Sequence, residues 1–144
     1  MSEGRIAGRF QVLGSLGRGA QGSVLLAFDE LSEREVALKT LAEERVSPAL
    51  AAVLEAELEH LRGLDHPGLV RVLDLVVDEG RPYLVLERVL GEELTLWAAR
   101  GDRVERALQI AEPILQALEH LHARGLCHLD LKPAHLLVGA GDRP

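Results

Sequence analysis

The chain has 144 residues, of which 47% are apolar and only 3% aromatic, and its formal net charge is −7. That length and apolar content suit an ordinary globular domain whose core is built from Leu, Val and Ala. The acidic balance and the shortage of aromatic rings argue against nucleic acid and anionic membranes as partners, because the positive charge and the stacking surfaces are both missing.

The one cysteine, Cys127, has no internal disulfide partner, which predicts a reducing, cytoplasmic setting. Lying between apolar neighbours and a histidine, it reads as a small buried hydrophobe rather than a nucleophile. The opening MSEGRIAGRF has no apolar signal-peptide core, and no uncharged run approaches the ~18 residues of a membrane span.

In chain order, FQVLGSLG, GSVLLAFD and EVALKTL between Phe10 and Leu41 read as three strands, joined by the turn-prone GRGAQG and DELSERE as an antiparallel meander. After Ser47-Pro48 the period changes. Leu50, Val53, Leu54, Leu58, Leu61 and Leu64 recur every three or four residues with Glu55, Glu57 and Glu59 between them, which predicts an amphipathic helix ended by Gly63 and Pro67. LVRVLDLVVD and RPYLVLERV then add two strands around the turn Glu79-Gly80-Arg81-Pro82. Beyond Gly91 the pattern is helical, with a short piece at Leu94–Trp97 and a long helix from about Val104 to Ala123. Its wide apolar face needs cover, and Pro113 is expected to kink it. The expected architecture is α+β: a five-stranded antiparallel sheet with one helix over residues 1–90, then the start of a mainly helical portion over 91–144.

Three stretches carry chemistry. In LGRGAQGSV the glycines at 17, 19 and 22 join two strands, and a glycine-rich hairpin lets backbone N–H groups approach phosphate oxygens closely. A strand follows instead of a helix, so a dinucleotide-binding turn is excluded, and no Gly-Lys-Ser/Thr is present for a P-loop. In VALK, side-chain alternation places Ala37 and Lys39 on one face, opposite Val36 and Leu38. A lysine facing inward requires an anion, either a phosphate or a helix carboxylate such as Glu57. In HLDLKPAH, Asp130 and Lys132 stand two apart in a proline-stiffened turn, an acid and a base placed to take a proton from a hydroxyl.

Taken together, LGRGAQGSV, VALK, a helix glutamate, HPGLV, YLVLERVLGEEL and HLDLKPAHLLV stand in an order and spacing similar to those of a eukaryotic-like Ser/Thr protein kinase domain of the bacterial type, and the resemblance covers nearly the whole chain. It implies ATP as nucleotide, Mg2+ as its ion and a protein substrate. Gly17, Gly19 and Gly22 would cover the phosphates, while Lys39 would contact them, paired with Glu57. Leu16, Val24 and Ala37 would cover the adenine, with Leu137 as floor and Leu86 as gatekeeper. Glu87 to Val89 would bond the adenine edge, and Glu93 is a candidate for the ribose. Asp130 would orient and deprotonate the acceptor hydroxyl, and Lys132 would neutralise the moving phosphoryl group.

Three departures qualify the resemblance. Leu129 replaces the arginine of His-Arg-Asp, and His135 replaces an asparagine that holds metal in the family; an imidazole suits a hard cation poorly. No Asp-Phe-Gly follows LLVGAGDRP, so no complete metal site is assigned, and the expectation is a fragment with little activity of its own. Its apolar long helix would then be covered by the remaining kinase lobe or by another protein. The alternatives are a pseudokinase or docking module, and a small-molecule phosphotransferase, which shares His-x-Asp.

Overall fold

A computed structural model describes residues 5–19, 22–40 and 46–139. Eight strands and three α-helices are formed among them: β1 Arg5–Ile6, β2 Phe10–Gly19, β3 Gly22–Asp29, β4 Arg34–Thr40, α1 Pro48–Arg62, β5 Val72–Asp78, β6 Arg81–Glu87, β7 Gly91–Glu93, α2 Leu94–Ala98, α3 Arg103–His122 and β8 Leu137–Gly139. They fall into two compact units, Met1–Leu64 with Arg71–Arg88, and Asp65–Val70 with Val89–Pro144.

The first unit is a six-stranded antiparallel sheet in the order β1-β2-β3-β4-β6-β5, with α1 packed near β5. Five of these strands and α1 lie where the hydrophobic periods place them. The sixth, β1, has no signature in the sequence because two residues carry no period. It pairs Ile6 with Phe10 across a turn in which Ala7 and Gly8 both take positive φ. Helix α1 starts as its sequence dictates: Ser47 Oγ accepts from Leu50 N–H at 3.2 Å, and Pro48 follows where no N–H is needed.

Register divides the sheet into two faces. Leu25 lies opposite Leu38, Ala27 opposite Val36 and Leu38 opposite Val85, and with Phe10 and Tyr83 these form the dry core. The other face carries Val24 opposite Lys39, Leu26 opposite Ala37, and Leu86 opposite Ala37 on the far side. Lys39 therefore belongs to the face away from the packed core, where it is half-buried.

A chain of charges ties the strand ends together, and nothing in the hydrophobic pattern announces it. Asp29, 2% exposed, receives both Arg9 Nε at 2.6 Å and Arg9 Nη2 at 2.7 Å, and also accepts from Leu31 N–H and Ser32 Oγ. Arg9 Nη1 continues to Asp74 at 2.8 Å, and Asp74 to Arg62 at the end of α1 at 2.7 Å. The Arg9 hydrogen bonds hold the Asp29 carboxyl well below the usual carboxylate range against the opposing cost of burial, and Asp29 raises the Arg9 guanidinium in turn.

The second unit holds the two-stranded ribbon β7–β8 beside α2 and α3. Asp102 caps α3 by accepting from the N–H groups of Val104 and Glu105, and the helix runs on through Pro113. Among the described residues of α3 only Ala117 and Leu121 are buried, while Val104, Leu108 and Leu115 are each more than 60% exposed. Cys127 is exposed, contrary to the expectation of a buried hydrophobe, because the chain after α3 runs over the surface. Among the described residues no helix is long and apolar enough to cross a membrane.

Removing one partner from a buried pair leaves the other charge uncompensated. Asp29→Ala is therefore expected to lower unfolding free energy by about 3–5 kcal/mol in urea titrations. Since Asp29 ionises more readily in the folded chain, its contribution is complete above the unfolded value of about 3.9 and is lost as pH falls from there through the depressed folded value. A chain carrying Asp29→Asn should show a shallower acid limb.

Candidate functional site

In the first unit the glycine loop is the tip of the β2–β3 hairpin, with Gly17 opposite Val24 and Gly19 opposite Gly22. The glycines differ in what the backbone asks of them. Gly22 has φ +110°, and a Cβ there would stand 2.8 Å from Thr40 O, so no other residue fits. Gly17 has an ordinary φ and open space around it, so the fold itself does not require glycine at 17. Leu16 is exposed in the irregularity between Ser15 and Gly17; Val24 is half-buried and Ala37 buried.

Lys39 forms no ion pair among the described residues. Glu57 points to solvent from α1, and the expected Lys39–Glu57 pair is not formed in this structure. Glu87 ends β6 with its backbone N–H donated to Arg71 O at 3.0 Å and its carboxylate accepting Arg71 N–H at 2.8 Å, which leaves no N–H there for a ligand.

In the second unit Val89 precedes β7 as exposed chain, and Leu137 stands opposite Glu93 in the β7–β8 ribbon. Leu137 lines an apolar hollow of about 160 Å³ with Leu94, Trp97, Ile110, Pro113 and Ile114. The Glu93 carboxylate is engaged by Thr95 Oγ1 at 2.5 Å.

The segment after α3 is built by local backbone geometry. Gly125, at φ +70°, closes the helix while Leu126 N–H reaches back to Leu121 O at 3.0 Å. Leu129 takes φ +62° and is 93% exposed, and Asp130 N–H bonds His128 O at 2.9 Å across it. This is a γ-turn of the rare strained kind, with an ordinary side chain at its centre. The sequence gives no sign of it, since neither Gly nor Asn marks the position. From Pro133 to His135 a single 3-10 turn follows, closed by His135 N–H on Lys132 O.

These two turns bring three charged or titratable groups together. Lys132 Nζ lies 3.5 Å and His135 Nδ1 3.6 Å from Asp130 Oδ2, and His135 Nδ1 is 2.8 Å from Asp130 O. A carbonyl oxygen only accepts, so the proton of neutral His135 sits on Nδ1 and its lone pair on Nε2. The remaining donor is thus a nitrogen, and no cluster of three metal-ligating side chains exists among the described residues. The described residues do not fit the oxygen cage that Mg2+ demands.

The sequence model for the protein kinase domain matches residues 10–142. The chain belongs to the protein kinase family. Serine/threonine-protein kinase PrkC of Bacillus subtilis is 33% identical over 137 residues, 93% of this chain and 21% of the relative. A CBL-interacting serine/threonine-protein kinase of Arabidopsis thaliana is 33% identical over 135 residues, 92% of this chain and 28% of the relative. The chain thus spans less than a third of the length of these relatives. The crystal structure of the Mycobacterium tuberculosis PknI kinase domain superposes with a TM-score of 0.79 at 27% identity, covering 99% of this chain and 59% of that one. These matches establish the kinase fold and its Ser/Thr branch, with solved neighbours of the bacterial type.

Within this kinase chain the two glycines make opposite demands. Gly22→Ala, strained at φ +110° and blocked by Thr40 O, should cost more than about 1 kcal/mol in thermal or urea unfolding, whereas Gly17→Ala should leave stability unchanged.

Proposed function

We propose that this chain carries the nucleotide grip and catalytic loop of an ATP-dependent kinase acting on protein Ser/Thr hydroxyls. The observation that carries the reading is the Asp130 carboxylate held 3.5 Å from the Lys132 ammonium by the strained turn at Leu129 and the 3-10 turn behind it. A carboxylate in that setting orients an acceptor hydroxyl and takes its proton, while the adjacent cation offsets charge gathering on the phosphoryl oxygens. Gly17, Gly19 and Gly22 cover the phosphates, Leu16, Val24, Ala37 and Leu137 enclose the adenine, Glu87 to Val89 bond its edge through backbone groups other than the Glu87 N–H, and Lys39 meets the phosphates when Glu57 turns to pair with it. The open space over Gly17, which the fold does not need, supports this grip. The family's ion is Mg2+, and His135 replaces an oxygen ligand with a nitrogen, so turnover by this chain alone is slow. The exposed Val104, Leu108 and Leu115 suit cover by a kinase C-terminal lobe or another protein. The single cysteine fits the cytoplasm.

Phosphate transfer to a generic Ser/Thr substrate should fall about 10²- to 10⁴-fold in Asp130→Asn. Equal rates in both chains would remove Asp130 from the chemistry. Gly17→Ala should weaken ATP binding without changing stability.

A second reading, a pseudokinase that binds nucleotide or partners without catalysis, is favoured by the unformed Lys39–Glu57 pair and by His135. Thermal unfolding with ATP separates the two. Stabilisation that needs Mg2+ supports the kinase, and stabilisation indifferent to Mg2+, or none, supports the pseudokinase.

A further inference from the structure

Loop 65–70, which belongs to the second unit, is fastened to α3 by two histidines that the phosphoryl-transfer reading does not use. The His66 and His120 rings lie 5.0 Å apart at 43°. Beside them Gly68 comes so close to α3 that a Cβ on it would be 3.2 Å from Ala117 Cβ and 3.3 Å from the His66 ring. Both rings have assigned protons. His66 Nδ1 accepts the Gly68 N–H at 3.0 Å, and His120 Nδ1 faces Arg124 Nη1 at 3.2 Å, a group that only donates. Each neutral ring therefore carries its proton on Nε2 and uses its Nδ1 lone pair as an acceptor. His120 Nε2 is sealed from solvent with no hydrogen-bond partner among the described residues.

We propose that His66 and His120 form a pH-sensitive latch that holds loop 65–70 against α3 while the His120 ring is neutral and lets go when that ring takes a proton. The geometry leaves no tolerated place for that proton. On His120 Nδ1 it meets the Arg124 guanidinium, which only donates, and Nε2 already carries the ring's other proton. The charged groups facing His120 are Arg124 from the turn after α3 and His66 and Asp65 from the loop. Asp65 alone favours the proton, and desolvation, Arg124 and His66 outweigh it, so His120 titrates below its ordinary value. For a base whose folded value is depressed, stability is intact above the unfolded value of about 6.5 and is lost as pH falls from there through the folded value. A phenol or phenyl ring at 120 would pack on the loop at every pH, so the latch is a property of this pair of imidazoles.

The test is NMR on the full chain from about pH 7.5 to about pH 5.5. Gly68 and Leu69 amide exchange, corrected for its intrinsic rate, should accelerate at least about tenfold on acidification, reporting local opening. In His66→Asn/His120→Phe, which keeps an acceptor for Gly68 and a flat ring on α3 but cannot titrate, that acceleration should vanish. His120 itself, followed through its ring proton in the unaltered chain, should half-titrate below about 6.5. Protection that ignores pH, an equal acceleration in the double variant, or a His120 midpoint at or above about 6.5 would each overturn the latch.

Discussion

The pairing register of β3, β4 and β6 is the constraint on which the rest of the first unit depends. Because side chains alternate, placing Leu38 between Leu25 and Val85 forces Lys39 onto the opposite face with Val24 and Leu84. Slipping β4 by one residue would expose Leu38 and Val36 and drive an ammonium group into a dry cluster of Phe10, Ala27, Tyr83 and Val85. The burial of the core thus positions the candidate phosphate-binding lysine without an ion pair made by the lysine among the described residues.

A second constraint is electrostatic. Glu59, Arg62, Asp74, Arg9 and Asp29 alternate in sign across a helix end, an inner strand boundary and an edge strand. The end of the chain at Glu59 is exposed and contributes little, whereas Asp29 is buried, and its carboxylate is tolerable only because Arg9, Ser32 and the Leu31 amide all point at it. Arg5 and Glu30 form a similar pair in the open at 2.8 Å, where water screens it. Burial decides which of these arginines matters for folding.

The loop around Asp130 follows a different logic, since little of it is buried. Its shape comes from backbone hydrogen bonds: the γ-turn at Leu129, the 3-10 turn from Pro133 and the His135 ring on Asp130 O. Holding an ordinary leucine at φ +62° costs energy that a glycine would not. The Leu129 side chain, thrown outward, takes no part in the site. The same ring that steadies Asp130 has surrendered its Nδ1, and so the Leu129 and His135 departures act on the site in separate ways, one through the backbone and one through the donor set.

Much of this was legible in the residue order. Period-two runs marked five strands, Ser47-Pro48 marked the start of α1, and alternation alone put Ala37 and Lys39 together, because these features arise from interactions within a few residues. The motif order identified the kinase relationship for the same reason, as spacing along the chain is a local property. What required three dimensions were the partnerships between distant residues: Arg9 with Asp29 and Asp74, His66 with His120, and the failure of Glu57 to reach Lys39. Sequence alone determines which groups are charged, apolar or flexible and how the periodic segments fold locally, though not the turn at Leu129 or strand β1; only the tertiary structure decides which groups meet, because burial and hydrogen-bond geometry depend on neighbours that the linear order leaves far apart.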